Sequence, residues 1–228
     1  MVLLKSSIRN QLITLLLLSI IVPMAATAAI TIFYIRGEIR ERVVEENTKL
    51  IYQGKKNLTN YMESFDRISA NLYNNTGIYN VLSQGVNSYE QDSVIHAGLQ
   101  SLSRAVEGIY QVFLHVNTNN ESYLLTGGTF KRGVTLPQPW TDNVKPYSAF
   151  IEPTHLSHDY GIRMAPYLPK EQVITFHRPI YQVPSKKQIG SLSIDIKLDE
   201  IASLGEQLYE HEKEKLFLFD ENGIVVYA

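Results

Sequence analysis

The chain has 228 residues, of which 44% are hydrophobic and 19% are charged, and its formal net charge is -2. This composition is typical of one or two globular domains and shows no bias toward disorder. The nearly neutral balance excludes a basic field that would attract nucleic acid or an anionic bilayer. The sequence contains no cysteine, which excludes disulfides, Cys-ligated zinc and a thiol nucleophile.

Residues 12–35 carry no charged side chain, and a helix rising about 1.5 Å per residue over this length covers the ~30 Å hydrocarbon core of a bilayer. We predict a single transmembrane helix, with residues 1–11 in the cytoplasm and the rest of the chain outside the cell membrane, because long domains translocate largely regardless of charge. The alternative is a signal peptide cleaved after Ala26-Thr27-Ala28. The apolar run continues beyond that site, which favours the transmembrane helix.

Residues 38–82 contain no proline and repeat apolar side chains at three- and four-residue spacing, which predicts one long amphipathic helix with an interruption near Gly54. A stripe of this length is typical of a core or a dimer seam. A lipid-binding surface is the alternative, but the polar face is mixed in charge. A second helix is predicted over residues 92–107.

The spacing of apolar residues then changes to that of strands. Strands are predicted at residues 109–117, 121–128, 147–153, 171–181 and 188–198. The polar turn "NTNN" joins the first two as a hairpin, and Asp199 is the predicted N-cap of a following helix. The order of elements indicates an α+β fold in which helices wrap an antiparallel sheet.

The last stretch, "KLFLFDENGIVVYA", predicts a strand, a turn from Asp220 to Gly223 and a further strand. A lone hairpin is marginally stable in water. We therefore expect residues 211–228 to open a second module, and the sequence to be a fragment of a longer protein.

The segments "SSIRNQL", "NLYNNTGIYNVL", "GIYQVFLHV", "FHRPIY" and "GSLSIDIKLDEI", followed by "LFLFDENGIVVYA", resemble in order and spacing the N-terminal half of YesM-type sensor histidine kinases of Gram-positive bacteria. The resemblance covers essentially the whole chain. It implies an extracytoplasmic double Cache domain of two PAS-like modules. Residues 36–210 would form the membrane-distal sensor module with its long helix, and residues 211–228 the first strands of the membrane-proximal one.

The resemblance also implies a homodimer that binds a small extracellular ligand, with carbohydrate as one class, and that reaches a response regulator through a kinase part beyond residue 228. The sequence has no phosphoacceptor His motif, ATP-binding box or nucleophile motif, so we expect no catalytic residue and no cofactor. The alternatives are the sensor part of a chemoreceptor or of a membrane-bound AraC-type transcription regulator and, more remotely, a tethered extracellular enzyme.

Asp195 is the leading candidate for ligand contact. In "SLSIDIKL" its side chain lies on the strand face opposite Leu192, Ile194 and Ile196, and that face is either solvent or a polar pocket. In amino-acid-binding members of the wider Cache superfamily a late Asp holds the amine, and Asp195 resembles that residue. The sequence has no Arg-x-Trp around Trp140, so the resemblance does not extend to the site that holds the carboxylate.

Further predicted pocket residues have aromatic, imidazole or guanidinium side chains, which stack on rings or bind carboxylates. They are Tyr123, Trp140, Tyr147, Arg163, His177 and Arg178. For each, the alternative is an ordinary interior or surface position. The segment "THLSHD" brings together His155, His158 and Asp159, which are metal-ligand types. Because it is loop-like and lacks a nearby fourth ligand, we predict a solvated loop and no metal, with these three residues as the weaker alternative.

Overall fold

The computed structural model describes residues 8–84, 89–135, 148–161, 169–206, 218–219 and 225–227. The chain divides into two compact units, Met1–Gln53 and Gly54–Ala228.

Helix α1 runs from Ile8 to Asn74 without a break. The predicted interruption near Gly54 is therefore wrong, because one glycine costs a helix only about 1 kcal/mol. Ion pairs at i,i+4 spacing form on its surface, with Arg42 2.8 Å from Glu38. Among the described residues, α1 is the one helix long and apolar enough to cross a membrane, judged by length and composition.

Three shorter helices follow: α2 at Thr76–Gln84, α3 at Tyr89–Ala105 and α4 at Leu198–Glu206. Asn75 separates α1 from α2 and caps the latter, since its side-chain oxygen accepts a hydrogen bond from the Ile78 amide at 3.1 Å. Asp199 lies in the first turn of α4 rather than before it. A negative charge is favourable at either position, because both lie at the positive end of the helix dipole.

Six strands form one sheet in the order β3-β2-β1-β6-β5-β4, and every neighbouring pair is antiparallel. Their bounds are β1 Ile109–Val116, β2 Glu121–Thr126, β3 Thr129–Arg132, β4 Phe150–Leu156, β5 Gln172–Tyr181 and β6 Gln188–Lys197. The predicted α+β fold is confirmed. The sequence prediction missed β3, a short edge strand whose one apolar residue is Phe130.

One face of this sheet packs against the helices. Its buried apolar side chains alternate along the strands, and they include Val112 and Leu114 of β1, Ile174 and Phe176 of β5, and Leu192, Ile194 and Ile196 of β6. Phe65 and Leu72 of α1 belong to the same core. Because side chains alternate across a strand, the residues between them lie on the opposite face of the sheet, where the candidate site is found.

Near the end of the chain, β7 at Leu218–Phe219 pairs antiparallel with β8 at Val225–Tyr227. The predicted pair of strands is thus present. The turn predicted between them lies outside the described residues.

Candidate ligand-binding site

Asp195 is the centre of a polar row that runs across three neighbouring strands. Gln111 of β1 and Thr175 of β5 stand directly beside it in the strand register. The side-chain amide of Gln111 donates a hydrogen bond to Oδ2 of Asp195, and the Thr175 hydroxyl donates to Oδ1 at 2.7 Å. Asp195 lies opposite the helix-packed core, as its strand pattern predicted, and yet it is 0% exposed.

Burial raises the pKa of Asp195, and the hydrogen bonds from Gln111 and Thr175 offset this only in part. An ionised carboxylate in such a place is costly unless it is paired. Buried acids with perturbed pKa values concentrate at functional sites. The row around Asp195 is therefore a candidate site on physical grounds.

Residues 157–161, which we call the cover segment, return over this face of the sheet after β4. The Gln111 amide that binds Asp195 also donates to the carbonyl oxygen of His158 at 3.1 Å. The Tyr160 ring stacks on Phe113 of β1, with centroids 4.7 Å apart and planes 13° from parallel. These contacts shield the Asp195 side of the sheet from solvent. From the sequence, this face was expected to be either solvent-exposed or part of a polar pocket.

The backbone of the cover segment turns sharply at its end. Tyr160 and Gly161 both have left-handed conformations, with φ of 50° and 71°, which is uncommon for a bulky residue such as tyrosine. The Tyr160 carbonyl accepts a hydrogen bond from the Thr135 amide at 2.8 Å. This turn holds the Tyr160 ring over the sheet.

A second polar group surrounds Glu152 of β4. Its Oε2 lies 3.2 Å from Nε2 of His177, 3.6 Å from Nε2 of His158 and 3.8 Å from Nε2 of His155. Burial alone raises the pKa of Glu152, but hydrogen bonds from His158 and His177 outweigh it, so the pKa lies well below its usual range. Glu152 is therefore ionised at neutral pH.

His177 and His155 join Glu152 to the Asp195 row. Burial lowers the pKa of His177, against the opposing effect of Glu152, and Nδ1 of His177 lies 2.9 Å from the Ser193 hydroxyl. His155 Nε2 lies 3.2 Å from the same Thr175 hydroxyl that binds Asp195. The two polar groups thus form one continuous network.

The predicted residue Tyr123 lies on the other side of the sheet. It is fully buried in the helix-packed core, opposite Leu114 in the strand register, and its ring stacks on Phe130 at 5.8 Å. The expectation that Tyr123 joins Asp195 in one pocket is corrected, because alternation along β2 turns its side chain to the helices.

Arg178 also faces the helices. Its Nη1 donates to the carbonyl oxygen of Asp66 at 2.8 Å, to Oδ1 of Asp66 at 2.7 Å and to the Ser69 hydroxyl at 2.8 Å. Since the neighbouring His177 faces the polar network, Arg178 must face the other way. The expectation that Arg178 shares a pocket with Asp195 is corrected for this reason.

Three further predicted residues, Trp140, Tyr147 and Arg163, lie outside the described residues. Of the metal candidates, the structure brings His155 and His158 together, with ring centroids 4.8 Å apart. Asp159 instead turns away, since its Oδ1 accepts a hydrogen bond from the Gly161 amide at 3.1 Å.

The sequence reasoning did not single out Gln111, Thr175, Glu152 or Tyr160. Glu152 had a detectable signal, because it precedes His155 by three residues, as His155 precedes His158. The other three become visible only when the strand order places them beside Asp195 or above it.

The fold is similar to that of solved sensory domains. The ligand-binding domain of the Campylobacter jejuni chemoreceptor Tlp3, in complex with 4-methylisoleucine, aligns with a TM-score of 0.51 and 19% identity, covering 79% of this chain and 69% of that one. The extracellular domain of a protein described as histidine kinase vpHK1S-Z8 aligns with a TM-score of 0.50 and 15% identity, covering 68% of this chain and 57% of that one.

A domain of a sensory box/GGDEF family protein from Vibrio parahaemolyticus aligns with a TM-score of 0.50 and 16% identity, covering 68% of this chain and 60% of that one. No family model matches the chain, and no curated protein matches its sequence. The chain therefore has the fold of the sensory domains of chemoreceptors and histidine kinases, and it spans less than two thirds of the second and third of these structures.

Proposed function

We propose that this chain is the ligand-sensing and transmembrane part of a sensor histidine kinase of the YesM type. In this proposal residues 12–35 cross the membrane and the sheet domain lies outside the cell. Residues 36–210 form the membrane-distal Cache module, and residues 211–228 begin the proximal one. The protein acts as a homodimer and signals to a response regulator through a kinase part that follows residue 228.

The observation that carries the proposal is the complete burial of Asp195 on the sheet face that the helices leave free. A strand on a solvated face has no need of a buried acid, and a fold selected for stability alone would place an apolar residue there. The cover segment closes over that acid through Tyr160 and Gln111. Small-molecule sites usually contain a few convergent hydrogen-bonding groups, and Asp195, Gln111 and Thr175 converge in this way on the covered face.

Two ligand classes suit the Asp195 carboxylate. It accepts hydrogen bonds, so it would hold an amine or a sugar hydroxyl. The Tlp3 domain of similar fold was solved with an amino acid derivative, which supports amino acids as one class. Carbohydrates are the other, because a carboxylate also accepts hydrogen bonds from sugar hydroxyl groups.

Signalling then follows from a shift between two arrangements of the domain. A ligand that prefers the closed cover would favour one arrangement, by no more than its difference in affinity for the two. Strand β5 contacts the polar network through His177 and helix α1 through Arg178. A displacement of β5 would therefore move the helix that carries the apolar segment.

The second candidate function is the sensor of a chemoreceptor, which the similarity to Tlp3 supports. Reading the gene beyond the codon for residue 228 separates the two. A second transmembrane segment followed by a HAMP linker and a kinase supports the proposal. A long methyl-accepting coiled coil supports the chemoreceptor, and a helix-turn-helix supports the AraC-type regulator.

Thermal-shift screening of the full chain in detergent micelles tests the ligand-binding role, with L-amino acids and mono- and oligosaccharides as the two panels. A ligand at about 100 times its Kd stabilises the protein by about 2.7 kcal/mol, which raises Tm by several degrees in a domain of this size. We expect a rise in Tm from one panel that is lost in Asp195→Asn. A rise that persists in this variant removes Asp195 from the site.

A further inference from the structure

Beyond the proposed function, we infer that Glu152, His155 and His158 form a binding site for a divalent transition-metal ion of the zinc type. The inference requires neither a signalling partner nor a membrane, and it does not depend on the identity of the small ligand. It rests on the positions of three side chains at the junction of β4 and the cover segment.

The candidate ligand atoms of the three residues lie close together. One ligand atom from each of Glu152, His155 and His158 lies within 4.8 Å of the other two, and Glu152 Oε2 is 3.6–3.8 Å from the two Nε2 atoms. Zinc binds nitrogen and carboxylate oxygen at about 2.0–2.2 Å in a tetrahedron, which separates its ligands by roughly 3.3–3.6 Å. An ion therefore fits among the three atoms with small side-chain movements.

The backbone orients the ring of His155. Its Nδ1 lies 2.7 Å from the carbonyl oxygen of Pro153, so this nitrogen carries the proton in the neutral ring. In that neutral form the lone pair is on Nε2, which faces Glu152 and the Thr175 oxygen. Because the Thr175 proton is donated to Asp195, an ion bound at Nε2 takes the place of the proton that Nε2 would otherwise donate to Thr175. Metal-binding histidines almost always donate their second ring nitrogen to a carbonyl or carboxylate in this way. The backbone thus holds His155 in the tautomer that a metal requires.

Neighbouring side chains hold Glu152 and His158 in place. His177 Nε2 lies 3.2 Å from Glu152 Oε2 and fixes the carboxylate from the sheet side. Gln111 holds the backbone of His158 by donating to its carbonyl oxygen. His177 is therefore a positioning residue. It contacts the Glu152 carboxylate, and it is not one of the three residues whose ligand atoms lie together.

The local chain geometry explains why the three residues meet. The register between β4 and β5 shifts between Glu152 and His155, so a bulge turns His155 to the same face as Glu152. His158 follows in the cover segment. The three side chains are 19–22% exposed, so an ion from solution can reach them although they are largely buried.

Two imidazoles and one carboxylate select zinc and its transition-metal neighbours over magnesium and calcium, which prefer oxygen ligands. Three protein ligands leave a fourth position for water or for an atom of another ligand, as in zinc sites that are not purely structural. The bound ion would join β4 to the cover segment. It would thereby hold closed the segment that covers Asp195.

Calorimetric titration of the full chain in detergent micelles, after removal of metals with EDTA and dialysis, tests the site with ZnCl2 as probe. We expect one Zn²⁺ per chain and no binding of MgCl2 or CaCl2 at the same concentration. His155→Gln and His158→Gln should each weaken zinc binding at least 10-fold, and the double variant should abolish it. His96→Gln is the matched control, because His96 is a partly buried histidine of α3 that stacks on Phe130 away from the site, and it should bind zinc as the wild type does.

A second readout is the visible absorption of Co²⁺, which is strong only when the ion is tetrahedrally coordinated by the protein. This band should appear in the wild type and in His96→Gln and should be lost in Glu152→Gln. Far-UV circular dichroism of the metal-free proteins tests whether each variant is folded. If the double variant is unfolded, the zinc affinities of the two single variants decide the outcome. The inference is overturned if the wild type binds no zinc, or if folded His155→Gln and His158→Gln bind it with unchanged affinity and stoichiometry.

Discussion

His177 and Arg178 are adjacent on β5, and their side chains make contacts on opposite faces of the sheet. Nε2 of His177 lies 3.2 Å from Glu152 in the polar network, whereas Nη1 of Arg178 lies 2.7 Å from Asp66 of helix α1. Strand alternation makes this division unavoidable for neighbouring residues. One strand thus connects the covered polar face directly to the long helix.

Replacement of Arg178 by methionine tests its structural role. We expect the free energy of unfolding to fall by about 1.5–3 kcal/mol, because hydrogen bonds from a charged group to α1 are lost. Urea unfolding measures the loss. Arg104→Met, at an exposed position of α3, is the matched control and should change stability by less than about 0.5 kcal/mol. An equal, small effect of both variants would show that Arg178 does not hold α1 to the sheet.

The pH dependence of stability tests the burial of Asp195. Because burial raises its pKa in the folded state, the folded chain binds a proton more readily than the unfolded chain. This contribution to stability is fully present below the unfolded pKa of about 3.9 and is lost as pH rises through the folded pKa. In metal-free protein, Asp195→Asn should therefore gain stability relative to wild type as pH increases over that range.

The difference between the two unfolding curves cancels the carboxylates that titrate alike in both proteins, including Glu152 with its lowered pKa. It leaves Asp195 together with the effect of its charge on the pKa of His177. Urea unfolding at several pH values gives the difference directly. A difference that stays constant with pH would mean that Asp195 is not the buried, poorly solvated acid described above.

Alanine substitutions at two glycines with left-handed backbones test the close packing of the turn at the end of the cover segment. A Cβ on Gly161 would lie 2.5 Å from the Thr135 hydroxyl, whereas a Cβ on Gly127 meets no atom within 4 Å. Gly161→Ala should therefore cost more stability than Gly127→Ala, by about 1–3 kcal/mol, because both pay the backbone strain and only the first also has the clash. Equal losses in thermal or urea unfolding would argue against the close contact between the cover segment and Thr135.

The sequence predicted much of the fold, because the periods of apolar residues are properties of the chain itself. Sequence patterns identified elements of the right type in three places. These are the uncharged run of residues 12–35, the helical spacing of apolar residues in α1, and the strand spacing in β1, β5 and β6. The face of Asp195 also followed from alternation. The small strand β3 was missed, since "TFKR" has too few apolar residues to show a pattern.

The site was less predictable, because it depends on contacts between residues distant in sequence. Gln111 and Thr175 become partners of Asp195 only through the strand order, and Tyr160 covers it only through the left-handed turn. Arg178 resembled a ligand-binding residue by type, but its partner Asp66 lies on α1. Residue type therefore indicates which contacts a side chain can make, and the strand order decides which side chains meet.

Isothermal titration of the full chain tests most directly the central claim that the Asp195 face is the ligand site. The titrant is the L-amino acid or saccharide that gives the largest thermal shift, and the proteins are wild type, Asp195→Asn and Tyr123→Phe, the last altering the helix-packed face. We expect Asp195→Asn to bind at least 10-fold more weakly while being as stable as wild type or more so, and Tyr123→Phe to bind normally. Normal binding by Asp195→Asn together with loss of binding in Tyr123→Phe would contradict this claim.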